Sequence, residues 1–368
     1  MNEERRAWLA LAQARIASDL VSALLDEFGA AAAIVQQRAK TLAPFGVSEQ
    51  ASAVLARPDE QALAAALAWA NEQHNHLVAL NADDYPPLLR ELKDAPLLLY
   101  VKGEPGLLHM PALAIVGSRN PTRGGVDNAR QFAAHLGSVG FAIASGLAQG
   151  IDTAAHRGAL DSKATTFAVL GHGLDRVYPA ANRELAHAIA MQGALVSEYP
   201  LGTPPKRENF PARNRLISGL SLGVLVVEAA YRSGSLITAR LAAEQGREIF
   251  ALPGSIHNPL AKGCHRLIKD GAKLVESAAD IIDELRHLVG HLQSLESPAN
   301  PQLAAPPERD SDYEKLLTAI GFEPLTADAI AERSALTIEQ VSSMLLILEL
   351  EGEIEVLQGG RYSRLHKG

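Results

Sequence analysis

The sequence predicts an α/β protein built on a doubly wound, Rossmann-like parallel sheet, and three observations carry that prediction. The apolar run 112–116 stops at Gly117-Ser118-Arg119. After one amphipathic spacer, 141–144 repeats the pattern and stops at Ser145-Gly146. The alternation then continues to about Leu285, with further strands expected at 165–170, 194–198, 224–228, 248–252 and 273–275. Strand, small-residue turn, helix, strand is the signature of parallel crossovers, and it sets every turn that follows a strand on one carboxyl edge.

Taken in order, the chain begins with a helical pattern. Trp8, Leu9, Leu11 and Ile16, then Leu20, Val21, Leu24, Leu25 and Phe28, recur at helical spacing. Ser18-Asp19 reads as a cap and Gly29 as a stop, and two more helices fit 48–55 and 58–72. Residues 1–80 are therefore expected to form a small helical, SAM-like domain. The turn at Asp84-Tyr85-Pro86-Pro87 marks a boundary, and a short strand is expected at 97–101. The sheet core spans 81–290. Pro298, Pro301, Pro306 and Pro307 among polar residues make 291–310 a linker. Helices at 312–320, 326–333 and 337–351, then strands at 353–357 and 361–365 around Gly359-Gly360, predict a winged-helix domain over 311–368.

Composition excludes several classes. With 47% hydrophobic and 21% charged residues over 368 positions, the chain reads as an ordinary globular protein. No apolar run reaches the roughly 20 residues that span a bilayer. The charged opening MNEERRAWLALAQ lacks a signal-peptide pattern, so a cytoplasmic protein with no membrane partner is expected. The single cysteine, Cys264, allows neither an internal disulfide nor a cysteine metal cluster, and no metal or cofactor is expected. A net charge of −8 argues against coating nucleic acid with the whole surface, though not against a local basic groove.

The chemistry belongs at the carboxyl edge. Gly117, Ser118, Ser145, Gly146, Gly150, Gly171 and Gly173 let backbone amides face a ligand, and amides at a helix start bind anions. The dinucleotide fingerprint is absent: Gly171-His172-Gly173-Leu174-Asp175-Arg176 puts arginine where the third glycine belongs. The segment 204–218, PPKRENFPARNRLIS, sets Lys206, Arg207, Arg213 and Arg215 against Glu208 alone, with Asn209, Phe210 and Asn214 among them. Read as a loop at the same edge, it offers charge for phosphates and a ring for an unstacked base, and Arg119 and Arg123 extend it. For catalysis the candidates are Asp152, His156, His172, Asp175 and Glu228; Asp152 and His156 lie one helical turn apart and could pair. From Glu308 to Gly368, twelve acids stand against six basic residues, so the winged helix reads as a protein-contact module rather than a duplex reader.

On these residues the chain resembles the DNA-processing protein A family (DprA, also called Smf). The motifs are DYPPLL at 84–89, AIVGSR at 114–119, SGLAQGID at 145–152 with Ala155-His156, FPARNRLIS at 210–218, Glu228-Ala229 with SGSLITA at 233–239, and Leu252-Pro253-Gly254. The resemblance implies a Rossmann-like core that binds single-stranded DNA without catalysis, protects it during natural transformation and loads the RecA recombinase. It implies phosphate contacts from Gly117, Ser118, Arg119, Lys206, Arg207 and Arg213 and a base contact from Phe210. Ser145, Gly146, Asn209, Asn214 and Arg215 fall in the same motifs. It also implies a homodimer through His265, Ile268 and Leu274. The N-terminal turn Ala12-Gln13-Ala14-Arg15-Ile16 lacks the family's usual glycine, which weakens any reading of DNA contact there. Two other classes stay open. A phosphoribohydrolase-like nucleotide-processing enzyme needs an acid in the turn 231–235, which has none. A winged-helix transcription factor needs basic residues that the C-terminal module lacks.

Overall fold

The computed structural model describes residues 2–295 and, within 311–364, all but 321–324, 339, 342–343, 346–347, 349–353 and 358–360. The chain divides into two units, Met1–Glu296 and Ser297–Gly368.

The first unit is organised by a nine-stranded sheet: β1 (Asn75–Ala79), β2 (Leu98–Gly103), β3 (Ala112–Val116), β4 (Ala142–Ser145), β5 (Thr166–Val169), β6 (Ala194–Ser197), β7 (Gly223–Val226), β8 (Glu248–Ala251) and β9 (Lys273–Leu274). Their order is β1-β2-β6-β5-β4-β3-β7-β8-β9. Strands β3 to β9 pair in parallel, while β2 runs antiparallel to β6 and β1 to β2. The chain lays β3 to β6 outward in one direction, then returns to place β7 on the other side of β3. The strand order reverses there, which opens a crevice at the carboxyl ends of β3 and β7.

Alternation along β3 shows why the sheet forms. Ala112, Ala114 and Val116 join one apolar cluster, and Leu113 and Ile115 join the other. A strand buried on both faces must be apolar throughout, as this one is. The helices Arg123–Ser138 and Ile151–Asp161 cover one face, burying Phe132, Leu136, Ile151 and Ala155.

The expected strands of the core fall within about two residues of those observed. Three differences have physical reasons. Residues 75–79 form a strand rather than the end of a helical domain, because Asn75–Ala79 pairs along its whole length with Leu98–Lys102. Ser18 does not cap its helix; its hydroxyl donates to the Lys93 carbonyl at 2.9 Å. Gly29 does end that helix, at φ 79°. The segment expected as a loop is helical over Asn209–Gly219, with Pro211 in the first turn, where a missing N–H costs nothing.

The N-terminal helices Asn2–Gln13, Ser18–Phe28, Glu49–Ala56 and Glu60–Ala70 share one apolar cluster with the sheet, Trp8, Leu11 and Leu24 lying in it with Val78 and Leu99. The Trp69 and Tyr100 rings meet at 5.7 Å.

The second unit carries helices Ser311–Ile320 and Ala327–Ser334 and an antiparallel sheet of β10 (Leu325–Thr326), β11 (Ile354–Leu357) and β12 (Arg361–Arg364), ordered β10-β12-β11. Leu316, Ile320, Ile330, Leu345 and Ile354 make its core. This is the expected winged-helix pattern. The helix Ala278–Leu295 overruns the expected start of the linker, and the rest of that linker lies outside the described residues, as do Gly359-Gly360 and parts of 337–351.

Candidate nucleic-acid interface

An open groove of about 670 Å³ lies in the crevice where the strand order reverses. One wall is the turn after β3, Gly117, Ser118 and Arg119; the other is Ala230, Ser233, Gly234 and Ser235 after β7. The helix Asn209–Gly219 runs along it and contributes Phe210, Arg213 and Asn214, with Arg207 just before its start. The helix Ser235–Glu244 begins at the rim, so the positive end of its dipole faces the groove.

At the centre stand a cation and two rings. The Arg119 guanidinium lies over the Phe210 ring at 6.0 Å, within cation–π range, and Tyr178 meets Phe210 at 5.7 Å in a tilted contact. Tyr178 is 48% exposed. Arg119, Lys206 and Arg207 are exposed and make no ion pair with any described residue. Tyr178 is absent from the sequence-level site. Its only signal there is an aromatic residue beside Pro179 in the turn region after β5.

Other expected contacts face inward. Arg213 is 4% exposed; it donates to the Gly146 carbonyl at 2.8 Å and to the Val169 carbonyl. Burial pushes its pKa down to about 10, and the Asp152 charge pulls it back up. A Cβ on Gly146 would lie 2.6 Å from this guanidinium and would force it to shift from its place against the carbonyls. The Ser145 hydroxyl donates to the Ile115 carbonyl at 2.7 Å, and the Asn209 amide to the Gly171 carbonyl at 3.0 Å; both side chains are buried. Arg215 pairs with Glu198 and, at 3.2 Å, with Asp94. Gly117, Ser118, Arg119, Lys206, Arg207, Phe210 and Asn214 keep at least part of their surface exposed.

The catalytic candidates have structural duties. The buried Asp152 carboxylate accepts the Gly146 and Ala148 N–H groups at 3.1 and 3.3 Å; burial raises its pKa and Arg213 opposes the rise. Asp152 and His156 do not pair. His156 Nδ1 meets the Thr166 hydroxyl at 2.7 Å, and that hydroxyl already donates to the Ile143 carbonyl, so the ring N–H is on Nδ1. Burial, with Arg213 nearby, lowers the His156 pKa to about 3, and the ring is neutral. His172 is buried with Nδ1 3.0 Å from the Gly173 carbonyl, and burial lowers its pKa also. Asp175 accepts the Gly202 N–H at 2.8 Å and pairs with Arg176 at 2.9 Å. The Cys264 thiol is buried and pushed up to about 11. Among the described residues no group of three His, Cys, Asp or Glu could hold a metal ion, and no helix is long and apolar enough to cross a membrane.

The groove thus defines a class: a Rossmann-like binding protein that presents cations and ring faces at a switch-point crevice. Comparison with known proteins agrees. The family described as DNA recombination-mediator protein A matches residues 76–286, and the DprA winged helix domain matches residues 299–360. Protein Smf of Escherichia coli (strain K12) is 43% identical over 342 residues, covering 91% of this chain and 88% of that protein. DNA processing protein DprA of Streptococcus pneumoniae is 49% identical over 202 residues, covering 55% of this chain and 71% of that protein. The chain belongs to the DNA recombination-mediator protein A family. The crystal structure of DprA from Streptococcus pneumoniae superposes with a TM-score of 0.67 at 38% identity, over 77% of this chain and 98% of that one. DprA from Helicobacter pylori, solved for its single-stranded DNA binding mode, superposes with a TM-score of 0.53 at 32% identity, over 58% of this chain and 97% of that one.

Proposed function

We propose that the chain binds single-stranded DNA in the switch-point groove and acts as a recombination mediator. In this role it protects an incoming strand during natural transformation and hands it to the RecA recombinase. One observation carries the reading: Arg119, Phe210 and Tyr178 stand together in the groove. An unstacked base offers a face to a ring and its phosphate a charge to the guanidinium, whereas a duplex keeps its faces covered. Exposed Lys206 and Arg207 extend the path, with Gly117, Ser118 and Asn214 beside it. Ser145, Gly146, Asn209 and Arg213 act as buried supports of the rim, and Arg215 as a tie to Asp94 and Glu198. The Helicobacter pylori relative supports the ligand class.

The groove binds and does not cut, since each candidate acid or base is engaged by its own backbone or a neighbour. Two copies associate through His265, Ile268 and Leu274; Leu274 is 44% exposed on β9, an open margin of the sheet. The protein works in the cytoplasm, where it would meet RecA, and the winged-helix domain contacts a protein partner. The test is fluorescence anisotropy with labelled oligo-dT and a duplex of equal length at two salt concentrations. Salt-sensitive binding that favours the single strand is the expected result; equal affinity for both overturns the reading. RecA nucleation on the same strand, with and without the protein, tests the hand-over.

A further inference from the structure

In a doubly wound sheet the first turn is where a nucleotide phosphate ordinarily sits, because a strand ends there, glycines clear the space and the next helix offers its amides. Here the turn is 117–122 and the helix is Arg123–Ser138. Its anion seat is filled by the protein itself. Glu228, two residues beyond β7, reaches across the switch point. Its Oε2 accepts the Thr122 N–H at 2.9 Å and its Oε1 the Thr122 hydroxyl at 2.6 Å. Thr122 Oγ1 accepts the Gly125 N–H at 3.0 Å, so carboxylate, hydroxyl and amide form one chain on the helix start. Glu228 is 8% exposed, and a Cβ on Gly125 would come within 2.6 Å of its carboxyl group. The close approach that a glycine usually grants to a pyrophosphate is granted here to a glutamate.

We propose that Glu228 is a specificity-determining residue, a resident anion that closes the first-turn seat to free mononucleotides and pyrophosphate and leaves the groove to a polymer. The proposal rests on the single-strand reading and deepens it. A terminal phosphate or pyrophosphate carries concentrated charge and is drawn to the positive end of a helix dipole. Beside a carboxylate held out of solvent it is repelled, and that repulsion is weakly screened. A strand does not depend on that dipole. Each internal phosphate carries one charge and can be met by an exposed cation such as Arg119 or Arg207, and affinity accumulates over several contacts. A mononucleotide collects too few of them.

The test uses the full chain, with inorganic pyrophosphate and dTMP as probes, read by ³¹P line broadening and titration calorimetry. Glu228→Gln keeps the side-chain length and both Thr122 contacts, its carbonyl accepting the N–H and its amide donating to the hydroxyl, and removes the charge. Pyrophosphate is expected to bind E228Q at least about ten-fold more tightly than the parent. Glu228→Asp, which opens space and keeps the charge, is expected to show no such gain. In the parent, neither probe is expected to displace oligo-dT at constant ionic strength. A folded E228Q with parental pyrophosphate binding overturns the proposal, as does an equal gain in E228D. So does displacement of oligo-dT from the parent by dTMP, an arm that needs no variant to fold. If the parent fails to bind oligo-dT at all, the single-strand reading falls, while the pyrophosphate comparison still decides the role of Glu228.

Discussion

Replacing Arg213 by methionine separates a buried brace from a phosphate contact. The guanidinium holds the Gly146 and Val169 carbonyls and opposes the Asp152 charge, all out of solvent. Methionine fills much of the same volume, so the cavity contribution is small and the loss is polar. Two carbonyls lose a donor, at about 1–3 kcal/mol for each group left unsatisfied. Asp152 loses a nearby cation that opposes its desolvation, which adds to that cost. These overlap, so the expected loss for Arg213→Met is about 4 kcal/mol, a large part of the roughly 5–15 kcal/mol that holds a domain folded. The assay is urea unfolding followed by tryptophan fluorescence, because Trp8 and Trp69 both lie in the first unit. Asp152→Asn together with Arg213→Met is expected to cost less than the sum of the single changes, by at least about 1.5 kcal/mol, because the charges leave together. The reasoning is refuted if Arg213→Met unfolds within about 1 kcal/mol of the parent while losing as much oligo-dT affinity as Arg119→Ala.

Three further outcomes are expected. Arg119→Ala and Arg207→Ala should weaken oligo-dT binding with the urea midpoint unchanged, each lowering the slope of log affinity against log salt by about 0.7, measured by anisotropy. His156 has a folded pKa of about 3 against an ordinary 6.5, so its contribution to stability is complete above 6.5 and is lost as pH falls through the window down to 3. At pH 5 the loss from this group is about 2 kcal/mol, and a flatter urea-midpoint profile in His156→Gln checks it. Leu274→Asp should shift the chain toward monomer in sedimentation velocity, since it puts a charge into the proposed self-association face at β9.

The sheet was readable because buried parallel strands are written as short apolar runs that end at small residues. Ala112–Val116 before Gly117 is such a run. β1 escaped because Asn75 and His76 make it look polar and it follows directly on a helical pattern. The helix Asn209–Gly219 looked like a loop because its prolines, asparagines and arginines read as turn and surface residues. What makes it helical is tertiary: one side carries Arg213, Leu216 and Ile217 into the interior. Arginine is rarely buried, and nothing local to FPARNR reveals that a carboxylate at position 152 awaits it. Lys206, Arg207 and Arg119 were legible as surface charge for the opposite reason: no described acid pairs with them. Tyr178 became visible only when folding brought it against Phe210, 32 positions later.

The two antiparallel strands bear on how the chain can be divided. β1 and β2 form the seam joining the N-terminal helices to the parallel strands, and Trp69 rests against Tyr100 across it. Severing the chain at residue 80 would strip β1 away, leaving an aromatic face bare and a row of backbone donors and acceptors unmatched at the margin. Such a margin recruits other chains. A fragment meant to retain the groove must therefore keep β1 and the helix that carries Trp69, and so begin no later than Glu60.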